Sequence, residues 1–133
     1  MAGQGISTTI TALLSSTNAL GGYSSAFVCT HDGLVVAAAG DGDVAEQTAA
    51  VVSLFDDVVV RATRDLAFQH VDEVAMLDPA HGRLVIRPLP VSAGPPFFLV
   101  VRVPRSASWR RNTNILRKRL LPILEPVVAE VSE

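Results

Sequence analysis

The sequence predicts an α+β domain in which helices pack on a five-stranded antiparallel sheet. Three observations predict this fold class. Apolar residues recur at three- and four-residue steps in three long segments, as they do in helices, and they alternate or run continuously in five short segments, as they do in strands. Residues typical of turns separate these segments, and the order along the chain is α-β-β-α-β-β-β-α. Two antiparallel units with inserted helices therefore form one layered domain.

The chain begins with a helix and a β-hairpin. The helix spans residues 6–20, and Gly21-Gly22 ends it, because glycine commonly follows a helix. Strands at residues 24–30 and 34–38 flank His31-Asp32-Gly33. The Asp-Gly pair of this turn supplies the positive φ angles that a tight hairpin needs.

A long helix over residues 43–67 has more apolar surface than one sheet can cover. Asp43, with Glu46 three residues later, is an acidic variant of the capping box and marks the start of the helix. A core-facing stripe recurs at helical steps and consists of Ala45, Ala49, Val52, Phe55, Val59, Ala62 and Leu66. A second stripe, rotated well away from the first, consists of Val44, Val51, Leu54 and Val58. We expect another molecule to cover this second stripe.

Three strands follow the long helix. The first spans residues 71–77 and the second residues 83–87, with a turn at residues 78–82 between them. A proline-rich loop then leads into residues 97–103, an almost continuous apolar run. Such a run is expected of a central strand that is buried on both faces.

The last helix begins near Trp109, with Ser106 or Ser108 as its cap. Pro122 lacks an N–H and collides with the preceding turn, so we expect the helix to stop or kink near Leu121. A second helical piece can follow over residues 122–131. The chain is thus a single domain over residues 1–133, with a core at about residues 6–121 and a C-terminal tail at residues 122–133.

The composition is that of a globular chain. Hydrophobic residues make up 49% and charged residues 18% of the 133 residues, and the mean hydropathy of +0.37 is consistent with a buried interface. No apolar run approaches the roughly 18 to 20 residues of a membrane span, and the N-terminus lacks the pattern of a secretory signal. Cys29 is the single cysteine and cannot form an internal disulfide, so we expect a reducing, cytoplasmic compartment.

No set of residues in the sequence has the pattern of an active site. His31, His70 and His81 lie in turns or junctions and lack the spacing of metal ligands. The pair Asp41 and Asp43 lacks the later oxygen ligands of a calcium loop. The chain contains no phosphate-binding loop, dinucleotide fingerprint or nucleophile elbow. We therefore expect no catalytic residue, no metal and no cofactor.

The C-terminal part of the chain is strongly basic. Seven of the eleven basic residues lie between Arg102 and Arg119, whereas ten of the thirteen acids lie between Asp32 and Asp78. Every basic residue except Lys118 is arginine, a bias that indicates a GC-rich, bacterial genome. Nucleic-acid binding is not expected, because the chain is acidic overall and has no recognisable reading module.

Trp and Arg dominate the energetics of protein interfaces. A possible partner surface is therefore predicted at Trp109, Arg110, Arg111 and Arg117. The alternative is a helix that faces solvent or the acidic segment of the same fold.

Three stretches, taken in order, resemble the roadblock/LC7 family over about residues 6–121. The first is the strand, Asp-Gly turn and second strand of residues 25–37, which the alanine-rich long helix follows. The others are Gly82-Arg83-Leu84-Val85-Ile86-Arg87-Pro88-Leu89 and Phe97-Phe98-Leu99-Val100-Val101-Arg102-Val103. The chain departs from the family pattern in its proline-rich loop and in the prolines at positions 122 and 126.

The resemblance implies a profilin-like layer and a non-enzymatic homodimer, or a dimer with a roadblock-type paralogue, that works with a small Ras-like GTPase. Gliding-motility roadblock proteins of bacteria are the relatives it points to. It also implies that the third strands pair edge to edge and that the long helices pack across the two-fold axis. The interface residues that this implies are Val51, Leu54, Val58, Val71, Glu73, Ala75 and Leu77. A small-ligand sensor and a dynein-light-chain-like structural subunit stay open as alternatives.

Overall fold

A computed structural model describes residues 2–40 and 45–132, and the predicted element order is confirmed. The helices are α1 (Ala2–Gly21), α2 (Ala45–Asp65) and α3 (Arg110–Ser132). The strands are β1 (Ser25–Thr30), β2 (Val35–Gly40), β3 (Val74–Asp78), β4 (Gly82–Leu89) and β5 (Phe97–Val103). The predicted helix start at Asp43, the stripe residue Val44 and the acid Asp41 lie outside the described residues, as does the side chain of Glu46.

All five strands form one antiparallel sheet in the order β2-β1-β5-β4-β3. The apolar run of β5 lies at the centre, between β1 and β4, as predicted, and six of its seven residues are buried. The remaining residue is Arg102, which is half-buried. The strands β2 and β3 form the two edges of the sheet.

Helices cover both faces of the sheet. On one face, Ile10 and Leu14 of α1 pack with Leu116, Leu120 and Leu124 of α3 against β1, β4 and β5. On the other face, Ala45, Ala49 and Val52 of α2 pack on a second, smaller cluster, which contains Phe27, Cys29, Ile86, Phe98 and Val100. The sheet is therefore the middle of three layers.

Turns with glycine in the left-handed region join the first elements. Gly22 follows α1 with a φ of 72°, and the N–H of Tyr23 donates to the carbonyl of Asn18 at 3.0 Å, as in a Schellman ending. In the hairpin only Gly33 of the Asp-Gly pair has a positive φ, at 92°. A side chain at Gly33 would also meet the backbone of α2, since an added Cβ would lie 3.0 Å from the carbonyl oxygen of Ala49.

The helix α3 continues through both of its prolines. Of the two outcomes predicted near Leu121, a stop or a kink, the stop is therefore wrong, whereas the helical segment predicted after Pro122 is present. Leu116, Leu120 and Leu124 recur at four-residue steps and are fully buried, which holds the helix on the core across Pro122. Pro122 lies on the exposed side together with Lys118, whose carbonyl loses its helical donor. Water can reach this carbonyl, so the proline costs less here than it would in a buried helix.

The helix α1 also bonds to the edge strand β2. The Ser7 hydroxyl donates to the carbonyl of Val36, and the Asn18 amide donates to the carbonyl of Ala39, both at 3.3 Å. In the described part of the chain, β3 has β4 as its strand neighbour and no comparable contact with a helix on its outer side. The two edges of the sheet are therefore protected differently.

Candidate protein-interaction surface

The second apolar stripe predicted on α2 is exposed in the single chain. Leu54 is 68% exposed and Val58 52% exposed, and Val51 is similar. In contrast, Ala49 and Val52 of the core-facing stripe are fully buried. We refer to Val51, Leu54 and Val58 as the α2 stripe.

The α2 stripe lies on the flank of the helix that faces away from the β1–β2 turn. At 100° per residue, Asp56 lies well over 90° from each residue of the stripe. The carboxylate of Asp56 approaches His31 of the turn, at 3.9 Å from its Nδ1 atom. The stripe therefore has no neighbour in the hairpin and stays available to another molecule.

The core-facing stripe of α2 packs on the sheet only in its first half. Phe55, Val59 and Ala62 are half-buried, and Leu66, predicted to face the sheet, is 63% exposed. The assignment of Leu66 to the core is therefore wrong. Val59 and Thr63 line a cavity instead of packing on strands, and α2 ends at Asp65, before Ala67 takes a φ of 57°.

The edge strand β3 places apolar side chains on both faces of the sheet. Met76 is paired with Leu84 of β4 and lies on the face that α2 covers, where it remains partly exposed. The predicted interface residues Ala75 and Leu77 alternate with it and lie on the opposite face, with α1 and α3. Met76 was not among the predicted residues, because the sequence does not show which of the alternating side chains of β3 lie on the α2 face. Leu84 packs against the cluster that α2 covers, and its pairing with Met76 therefore places Met76 on the same face of the sheet.

The other two predicted β3 residues, Val71 and Glu73, precede the strand, which begins at Val74 rather than at residue 71. Glu73 is engaged inside the chain. Its carboxylate accepts hydrogen bonds from the indole Nε1 of Trp109 at 3.0 Å and from Nη2 of Arg110 at 2.8 Å. The sequence could not show this contact, since it joins residues 36 and 37 positions apart.

Trp109 forms the centre of a cluster of arginines. Arg83 and Arg110 both lie over its ring, at 5.2 and 4.9 Å from the ring centroid, which is a cation–π distance. Of the four residues predicted as a partner surface, Trp109, Arg110 and Arg117 make contacts within the chain. Arg111 is the exposed member that no ion pair holds among the described residues.

Asp72 joins β4 and α3 through two arginines. Its Oδ2 atom accepts a hydrogen bond from Nη2 of Arg87 at 2.6 Å, and its Oδ1 atom accepts one from Nη1 of Arg117 at 3.0 Å. Partial burial raises the pKa of Asp72, but the hydrogen bond from Arg117 and the charges of both arginines outweigh it and hold the pKa below its ordinary value. The same balance lowers the pKa of Glu73, through its bonds from Trp109 and Arg110.

Neither a metal site nor a reactive thiol is found in the described part of the chain. No group of three histidine, cysteine, aspartate or glutamate side chains there could hold a metal ion. Burial raises the pKa of the Cys29 thiol to about 12, so the nucleophilic thiolate is scarce at neutral pH. None of the described helices is long and apolar enough to cross a membrane.

Comparisons with solved structures match nearly the whole chain at low sequence identity. MglB of Myxococcus xanthus is 16% identical, with a TM-score of 0.76 and 91% of each chain covered. A roadblock/LC7 domain from Streptomyces avermitilis is 22% identical, with a TM-score of 0.63, and the match covers 92% of this chain and 98% of that one. Neither a protein-family model nor a curated protein matches the sequence.

A type II free methionine-R-sulfoxide reductase from Thermoplasma acidophilum matches as well. It is 12% identical, with a TM-score of 0.61, and the match covers 92% of this chain and 94% of that one. The architecture alone therefore does not separate an interaction module from an enzyme. Together with the sheet order, these matches show that the chain has the roadblock/LC7 fold.

Proposed function

We propose that this chain is a non-catalytic dimeric regulator or scaffold for a small Ras-like GTPase. The observation that carries the proposal is the α2 stripe, an exposed apolar surface on the same face of the sheet as Met76 of the edge strand β3. Apolar side chains that are grouped on one exposed face, rather than scattered singly, mark a protein contact. The GTPase comes from the resemblance of the sequence to the roadblock/LC7 family.

The dimer that we propose buries the α2 stripe of each copy against the other copy and pairs the two β3 edges. Burying a half-exposed valine or leucine contributes roughly 1 kcal/mol, about half the value for full burial. Three residues from each copy therefore contribute several kcal/mol, and the main-chain bonds of two paired edge strands add to this. Leu66 and Phe68, which are exposed beyond the end of α2, can extend the contact.

Two valines of α2 give a matched test of the dimer. Val58 and Val60 are both 52% exposed, but they point to opposite flanks of the helix, and only Val58 belongs to the α2 stripe. Val58→Asp places a charge in the proposed interface and should dissociate the dimer, whereas Val60→Asp should leave it intact. Sedimentation velocity at micromolar concentration measures both.

A native chain that sediments as a monomer would overturn the proposed homodimer. Equal behaviour of the two variants would place the contact on a different surface. If the native chain stays monomeric alone but forms a mixed dimer with a roadblock-type paralogue, the α2 stripe keeps its role and the partner changes.

The basic surface contributes one residue to the proposed contact with a GTPase. Arg110 and Arg111 are both exposed, but Arg110 is paired with Glu73 and the less exposed Arg117 with Asp72, whereas Arg111 is in no ion pair among the described residues. We therefore place Arg111 in the GTPase contact and give Trp109, Arg110 and Arg117 a structural role in fastening the segment before β3 to α3.

A dynein-light-chain-like subunit would share the dimer but would not change the nucleotide cycle of a GTPase.

A further inference from the structure

A cavity of about 320 Å³ opens beside the end of α2. The last turns of α2, the segment before β3, the β4–β5 loop and α3 all contribute to its wall. The apolar part of the wall comes from Val59, Val71, Pro88, Pro90, Val91 and Pro96. This volume is at the lower end of the range for small-molecule sites, which are mostly apolar with a few polar groups that orient the ligand.

The charged groups at the cavity do not balance. Asp72, which lines it, is shared by the guanidinium groups of Arg87 and Arg117, so two positive charges face one carboxylate. The other hydrogen bonds of Arg87 go to neutral groups, the Thr113 hydroxyl and the carbonyl of Arg110. Glu73 also interacts with the charge of Arg87, but it is paired with Arg110 as well, so the two carboxylates still face three arginines.

The excess positive charge is poorly exposed to water. Arg87 is 2% exposed, and its Nε atom has no hydrogen-bond partner among the described residues. The Arg117 side chain is 17% exposed and lines the cavity. A guanidinium carries five N–H donors, and the bond to Asp72 uses one donor of Arg117. Arg117 lines the cavity, so an anion that enters the cavity can stabilise its charge directly and can reduce its competition with Arg87 for Asp72.

We propose that this cavity binds a small organic anion, namely a carboxylate with a short aliphatic chain. The carboxylate accepts hydrogen bonds from Arg117, and the aliphatic chain packs against Val59, Pro88 and Val91. Both oxygens of Asp72 are already engaged by arginines, which reduces the repulsion between Asp72 and the ligand. Thr63, Gln69 and His70 also line the cavity and supply further polar groups. The proposal does not depend on the dimer or on a GTPase.

Hexanoate and hexylamine test the sign of the charge with chains of equal length. In methyl NMR spectra of the full chain, hexanoate should shift the signals of Val59, Val71 and Val91 in a saturable manner. Hexylamine should bind about tenfold more weakly or not at all, because it brings a second positive charge to Arg117. Equal binding of the two probes, or no saturable shift with hexanoate, would overturn the proposal.

Two variants locate the site. Arg117→Gln should weaken hexanoate binding by about tenfold, the loss of one charge-assisted contact, whereas the matched control Arg111→Gln, on the same helix but exposed, should leave it unchanged. Because Arg117→Gln also releases Asp72, Thr63→Trp provides an independent test: it fills the cavity from the exposed end of α2 and keeps every charge. Hexanoate binding that survives Thr63→Trp would place the ligand elsewhere and contradict the proposal.

Discussion

At the scale of single residues, Asp72 shows how a half-exposed side chain can order a buried one. Arg87 is almost completely buried, and the carboxylate of Asp72 is the acid that pairs with it. The side chain of Asp72 is itself 58% exposed, so solvent weakens the pair relative to a fully buried one. The neighbouring Glu73 adds a second link between the same segment and α3.

We expect Asp72→Asn to lower the free energy of unfolding by about 1.5 kcal/mol at pH 7, the value of a hydrogen bond between charged groups after discounting for solvent. The pKa of Asp72 is lowered in the folded chain from an ordinary value of 3.8, so its contribution is fully present above that value and is lost as the pH falls below it. Urea unfolding at pH 7 and pH 3 should show the difference between native chain and variant shrinking at low pH. Asp57→Asn, which removes an exposed carboxylate paired with Arg61, is the control and should change little. A constant difference at both pH values would contradict the role of the Asp72 charge.

At the scale of elements, residue patterns predicted the order of helices and strands, because each pattern is local. The alternation in β4, the run in β5 and the Asp-Gly turn each report the environment of neighbouring residues. The same reasoning identified the α2 stripe, whose exposure the structure shows. Whether a dimer covers it stays a prediction.

The errors arose where distant residues decide the outcome. Leu66 fits the core-facing period of α2, but the helix ends at Asp65, after its second half has already passed the strands, and the period does not report where the sheet or the helix ends. The later start of β3 follows from Asp72 and Glu73, whose side chains reach Arg87, Arg117 and Trp109 far along the chain. The cavity beside Arg117 is likewise formed by four segments that no local pattern connects.

The helix α3 tests the balance between local propensity and packing. Pro122 lies inside the helix and is exposed, so Pro122→Ala restores one backbone hydrogen bond without changing the core. Proline costs about 3 kcal/mol relative to alanine inside a helix, a net value that already includes its effect on the unfolded chain, and the cost is smaller here because water can reach the freed carbonyl of Lys118. We expect thermal unfolding to show a stabilisation of about 2 kcal/mol. Pro104→Ala, at an exposed proline outside any helix, should instead be neutral or slightly destabilising. A destabilised Pro122→Ala would show that the proline shapes a contact of α3.

At the scale of the whole molecule, the proposed function predicts a dependence of GTPase regulation on the dimer. With a small Ras-like GTPase encoded beside this chain, the native protein should change the rate of GTP hydrolysis or nucleotide exchange, measured by phosphate release and by release of a fluorescent nucleotide. Val58→Asp should lose this effect in proportion to dissociation of the dimer, and Val60→Asp should keep it. An effect that persists in a monomeric Val58→Asp would separate regulation from assembly, and no effect of the native dimer would favour a purely structural subunit.

The unequal protection of the two sheet edges determines what kind of assembly this chain can form. Pairing of β3 with β3 relates two copies by a two-fold axis and uses the same surface on each, so the association closes after two subunits. Pairing of β3 with β2 would instead leave a free edge at each end and allow indefinite growth into a fibre. The bonds from Ser7 and Asn18 of α1 to the β2 backbone oppose that second geometry. In the proposed dimer, α1 would therefore favour an association that closes at two subunits, although α1 contributes no residue to the proposed interface.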